Sequence, residues 1–162
     1  MSIYDSIAIK RADVALVCSS GGHLTQVRKI FTKEVIGNHS YVLITEKVSK
    51  KSDKPVNNNE IYFSPLKLNP LKNFVAMIKL MRIFKKLKVK MVITTGADIG
   101  TMAMLVGKIM GIKTMFIETV IRVKMPTLTG RMAYPFSDIF LVQHKGLEKK
   151  IGKRVIYKGG IL

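Results

Sequence analysis

Apolar positions along this chain fall in short, nearly continuous runs separated by stretches with helical spacing. Residues 13–19 (DVALVCS), 40–46 (SYVLITE), 61–65 (IYFSP), 90–96 (KMVITTG), 112–118 (IKTMFIE) and 137–143 (SDIFLVQ) read as buried strands, with a short last one near 154–157. Between them, the pattern predicts helices over residues 22–33, 70–88 and 98–110, the last closed by Gly111. Residues 47–60 (KVSKKSDKPVNNNE) are polar, carry a proline and three asparagines, and read as a surface loop. Strands without polar alternation, each followed by a helix, predict a parallel sheet covered on both faces. The expected fold class is α/β, a single Rossmann-like, doubly wound parallel sheet.

In such a sheet, ligands bind beyond the carboxyl ends of the strands. The loops at 19–23, 94–98 and 118–131 each follow a predicted strand and are expected to converge on that edge. A chain of 162 residues supports one domain, here assigned to 13–162, preceded by a segment 1–12 expected to lie near a membrane. That segment lacks the pattern of a secretory signal, and Lys or Gly interrupts every apolar run well short of a membrane span.

Charge changes the picture most, because 28 Lys and Arg face 10 Asp and Glu, a net charge of +18 that calls for an anionic partner. No acid occurs from Ile61 to Ala97, where eight Lys and Arg fall. On the helix beginning at Pro70, Lys72, Lys79, Arg82 and Lys86 form a basic stripe, and Phe74, Met77, Ile78, Met81, Phe84 and Leu87 an apolar arc. A basic amphipathic helix of this kind suits an anionic membrane surface. Nucleic acid is disfavoured, since no aromatic-interleaved RNA motif or helix-turn-helix appears and Trp is absent. The single cysteine, Cys18, excludes an internal disulfide and reads as structural, and no four-ligand Cys/His spacing suggests a metal.

The first strand-to-helix turn, SSGGHLTQ, places Gly21, Gly22 and His23 where backbone N–H groups at a helix start favour anions. It is neither a dinucleotide fingerprint nor a phosphate-binding Walker loop, and its bland reading is a tight turn with His23 capping the helix. A neutral imidazole there can accept a proton from a hydroxyl nucleophile. In TTGAD, Asp98 reads as the helix N-cap, while Gly96 and the adjacent threonines can line a polar ligand. The segment 118–138 (ETVIRVKMPTLTGRMAYPFSD) gathers Glu118, Arg122, Lys124, Thr127, Thr129, Gly130 and Arg131 after a strand, dense chemistry for a mere connector. Its bland reading is a basic loop in which Thr127 caps a short helix ended by Pro135.

These three segments, SSGGHLTQ, TTGAD and ETVIRVKMPTLTGRMAYPFSDIFLVQ, resemble the membrane-recruiting, acceptor-side subunit of two-part glycosyltransferases. That family comprises the subunit of the enzyme adding the second N-acetylglucosamine to dolichol-linked chitobiose, and its bacterial capsule and exopolysaccharide counterparts. The likeness spans the chain from Asp13 onward. It implies the N-terminal half of a GT-B glycosyltransferase, needing no cofactor or metal and active only with a donor-binding glycosyltransferase subunit as partner. The eukaryotic subunit usually begins with a spanning helix, whereas here only MSIYDSIAIKR precedes the first strand. The resemblance therefore points to the bacterial form, peripheral at the cytoplasmic face of the plasma membrane, with a lipid-linked saccharide acceptor on undecaprenyl pyrophosphate.

In that reading His23 is the candidate base, with Glu118 an alternative base or an acceptor-orienting group. Gly21, Gly22, Gly96, Asp98, Arg122, Lys124, Thr129, Gly130 and Arg131 are expected to bind the acceptor. Lys72, Lys79, Arg82, Lys86, Phe74 and Ile78 are expected to meet the membrane, helped by Ile3, Tyr4, Ile7 and Ile9. Two rivals stand beside it, a non-catalytic membrane scaffold and a basic Rossmann domain binding nucleotides or nucleic acid.

Overall fold

The apolar runs form a parallel sheet whose alternate residues feed two separate cores. The computed structural model describes residues 9–46, 59–66 and 70–160. Seven strands pair there in the order β3-β2-β1-β4-β5-β6-β7, all parallel: β1 Val14–Cys18, β2 Tyr41–Glu46, β3 Glu60–Phe63, β4 Met91–Thr94, β5 Lys113–Ile117, β6 Ile139–Val142 and β7 Val155–Tyr157. The strand order reverses direction at β1, so β1 and β4 flank the switch point at which doubly wound sheets bind ligands.

On one face, Ala15 and Val17 of β1 pack with Leu80, Ile83, Phe84 and Leu87 of helix α3 (Pro70–Leu87) and Ile99, Ala103 and Val106 of α4 (Asp98–Ile109). Each large side chain fully buried there contributes about 1.5–3 kcal/mol. On the other face, Leu16 and Cys18 meet Val27 and Ile30 of α1 (Gly22–Ile30). A third cluster, with Phe116 and Phe140 stacked at 4.7 Å, seats α5 (Leu128–Ala133) near β5 and β6. Burial of Cys18 in this interior pushes its thiol up to about 12, in keeping with a structural role.

Several expected boundaries move for local reasons. The helix expected over 22–33 stops at Ile30, because Phe31 leaves the helical conformation and packs against the α1 core. Thr32 is then extended and starts a separate short helix, α2 (Lys33–Ile36). Helix α3 ends one residue early, where Lys88 turns left-handed (φ 55°) and the Val89 N–H donates to the Phe84 carbonyl. A further short helix, α6 (Glu148–Ile151), precedes β7 and was not anticipated. The N-cap of α4 is Ala97, not Asp98, which is instead the first helical residue and exposed. Most of the expected membrane-proximal segment, including Ile3, Tyr4 and Ile7, and most of the loop expected over 47–60 lie outside the described residues.

Candidate functional site

Parallel register between β1, β4 and β5 brings the loops that follow them to one edge. Helix α1 departs over one face and α4 over the other, the arrangement that in doubly wound sheets leaves a crevice between the two N-termini. Gly21, the α1 N-cap, has φ 85° and no side chain caps that helix; nor does one cap α4. His23 therefore does not act as the cap. Both helices leave first-turn N–H groups without a side-chain cap at that edge.

His23, Gly96 and Thr129 meet there. A Cβ added to Gly96 would lie 3.1 Å from His23 Cε1 and 3.5 Å from Thr129 Oγ1, so the missing side chain lets the imidazole and the hydroxyl close over the β4 loop. The Thr95 hydroxyl donates to the His23 carbonyl (3.4 Å), tying the β4 loop to α1. The buried His23 Nδ1 has no hydrogen-bond partner among the described residues, which marks it as a polar atom awaiting one. A cavity of about 280 Å³ beside it is lined by Gly22, His23, Gln26, Thr119, Val120 and Ile121.

Glu118, at the end of β5, is fully buried, and its carboxylate is occupied by its own loop. It accepts from the Thr119 N–H (3.0 Å), the Thr127 N–H (3.0 Å) and the Thr127 hydroxyl (3.0 Å). Thr127 in turn caps α5, accepting from the Gly130 N–H (2.9 Å), as the sequence predicts. Gly130 is required at this position, since a Cβ there would stand 2.5 Å from Glu118 Oε2. Gly130 is thus packed beneath the loop, whereas Arg122, Lys124 and Arg131 are exposed on it. Among the described residues none of these three cations makes an ion pair, and Asp98 stands exposed at the same edge.

Sequence reasoning missed the side chains that hold this loop from beneath. Gln26 of α1 (3.4 Å) and Gln143 after β6 (2.9 Å) both donate to the Glu118 carbonyl, and the His144 ring bonds the Val120 carbonyl. Gln143 and His144 directly follow a strand and so reach the same edge, a signal available in the sequence.

The expected membrane residues of α3 divide by face. Phe74 is exposed and Ile78 half-buried; Lys72, Arg82 and Lys86 are exposed and Lys79 half-buried. Met81 is half-buried, while Phe84 and Leu87 of the expected apolar arc belong to the core. A groove of about 550 Å³ runs between the end of β3 and α3, with Lys72 and Lys79 among its walls. No helix among the described residues is long and apolar enough to cross a membrane, and no group of three or more potential metal ligands occurs among them.

By sequence, residues 67–161 match the family described as "Oligosaccharide biosynthesis protein Alg14 like", more than half of the chain. No curated protein matches the sequence. By structure, the chain is similar to MurG of Acinetobacter baumannii, with a TM-score of 0.71 and 14% identity over 91% of this chain and 46% of that one. It is also similar to the UDP-GlcNAc 2-epimerases of Methanocaldococcus jannaschii (TM-score 0.66, 11% identity, 91% of this chain and 45% of that one) and Rickettsia bellii (0.65, 12%, 93% and 45%). The chain spans less than half the length of these structures, and at such identities the likeness establishes the fold, one half of a GT-B architecture.

Proposed function

The chain belongs to the Alg14-like family of oligosaccharide biosynthesis proteins, and from that premise we propose that it is the acceptor-binding subunit of a two-component glycosyltransferase of capsular or exopolysaccharide synthesis. It binds a saccharide linked through pyrophosphate to a lipid, and recruits a donor-binding catalytic partner to the membrane. The observation that carries this reading is the family match over residues 67–161, and a fold like one half of the MurG structure agrees with it. In such a pair this domain supplies one wall of the crevice and a nucleotide-sugar-binding subunit the other.

In the proposed reaction, the acceptor hydroxyl sits against His23 and gives its proton to the imidazole. The hydroxyl oxygen forms a bond to the anomeric carbon of the donor sugar as the bond from that carbon to the diphosphate breaks. The nucleoside diphosphate leaves with the bonding electron pair, held by the partner. Glu118 serves as a positioning residue, because its carboxylate already takes its hydrogen bonds from Thr119 and Thr127. Gly96 leaves room for the His23 ring, and the α1 and α4 N-termini with Arg122, Lys124 and Arg131 attract the pyrophosphate. Helix α3 meets anionic lipid through Phe74, Ile78 and its basic stripe.

Transfer of labelled sugar to a lipid-linked acceptor in membranes tests this, with the chain alone, a candidate donor-binding half alone, and both. Product only with both is expected. Full activity of the donor half alone contradicts the proposal and reduces this chain to an anchor.

A further inference from the structure

Residues 121–132 carry five of the large apolar side chains that stand exposed among the described residues: Ile121 (81% exposed), Val123, Met125, Leu128 (73%) and Met132. Arg122, Lys124 and Arg131 alternate with them, and no acidic residue falls between Thr119 and Met132. We infer that this loop, with the start of α5, is a membrane-inserting foot that dips its apolar tips into an anionic bilayer beside the crevice.

The display is built. Glu118 fastens the loop's two ends through Thr119 and Thr127, the His144 ring holds the Val120 carbonyl, and the Lys150 ammonium donates to the Lys124 carbonyl (2.8 Å). A backbone fixed at these points keeps Ile121, Val123 and Leu128 in water at a standing cost, which a partner surface must offset.

The charge pattern chooses the partner. Cores of protein interfaces are depleted of charged side chains overall, and this loop carries three cations with no acid of its own to pair them there. At a bilayer the same alternation is favourable, because apolar tips enter the acyl boundary while Lys and Arg extend to lipid phosphates. Each cation near an anionic surface strengthens binding roughly fivefold. Leu71, Phe74 and Val75 are exposed near the start of α3, which follows β3 and so begins at the same carboxyl edge, and offer a second apolar contact.

The chain has no tryptophan, so Ile121→Trp and Leu128→Trp each create a single reporter. They are compared with Val35→Trp, on exposed α2 before β2 at the opposite edge. The probe is vesicles of phosphatidylcholine with about one third phosphatidylglycerol, prepared with and without brominated acyl chains. Expected are co-sedimentation, blue-shifted and bromine-quenched emission from positions 121 and 128, and no quenching from position 35. Ile121→Asp with Leu128→Asp should weaken vesicle binding by roughly a hundredfold. Emission at 121 and 128 that stays unquenched on sedimenting protein, or no sedimentation with anionic vesicles, overturns the inference. Neither donor, acceptor nor partner subunit is present, so failure of the glycosyl-transfer reading leaves this result standing.

Discussion

Replacing Thr127 by valine removes one hydroxyl and almost no volume, yet that hydroxyl has two roles. It donates to the fully buried Glu118 carboxylate at 3.0 Å and accepts the Gly130 N–H at the start of α5 at 2.9 Å. A hydrogen bond to a charged group contributes about 1.5–3 kcal/mol net, and an N-cap about 1 kcal/mol. Thr127→Val should therefore destabilise the protein by about 2.5–4 kcal/mol, lowering the thermal midpoint by roughly 5–15 °C for a chain of this size. Thr127→Ser keeps the hydroxyl and should stay within about 1 kcal/mol of the natural protein. Urea unfolding followed by far-ultraviolet circular dichroism measures both variants. A Thr127→Val protein within about 0.5 kcal/mol of the natural one would refute the reasoning, because it would mean Glu118 and α5 are satisfied without this hydroxyl.

Ala97 occupies φ 70° and ψ 170°, a region essentially reserved for glycine, so Ala97→Gly should raise the unfolding free energy measured in urea by about 1 kcal/mol; a loss would show that no strain is held there. Asp13 is held down to about 2 by the Lys90 ammonium, then the Ser40 hydroxyl, with Arg11 adding to both. Because its folded value lies below the unfolded one, the stability it contributes is full above about pH 4 and fades as pH falls towards 2. Asp13→Asn should flatten thermal midpoints across that window, and an unchanged acid slope would contradict the assignment. The Cys18 thiol should resist a disulfide reagent at pH 8 in the folded protein and react once on unfolding, which a colorimetric thiol count with and without urea reads directly.

The sheet was legible because every one of its strands is an apolar run too short for a helix. β1, with Ala15 and Val17 on one face and Leu16 and Cys18 on the other, shows why its sequence carries no polar alternation. Convergence of the three loops followed from the topology alone. The approach of His23 and Thr129 to Gly96 did not, since it depends on residues far apart in the chain meeting across parallel register. Glu118 was readable as a carboxylate at a strand end, but its engagement with Thr127, nine residues on, depends on how the loop folds back. The break at Phe31 was missed because helical spacing continues through it, and only packing of that ring against the sheet decides the matter. Thr32 followed by Glu34 was the local signal for a new helix start.

The measurement that bears most directly on the proposed acceptor site is sugar transfer by the assembled pair carrying His23→Gln. Vesicle binding and co-purification of the two subunits are followed on the same preparation. The glutamine keeps a polar side chain at the crevice but cannot serve as a base. The expected result is turnover reduced roughly 10²–10⁴-fold with assembly and membrane binding intact. Full turnover with His23→Gln would contradict it, and would place the base on another residue.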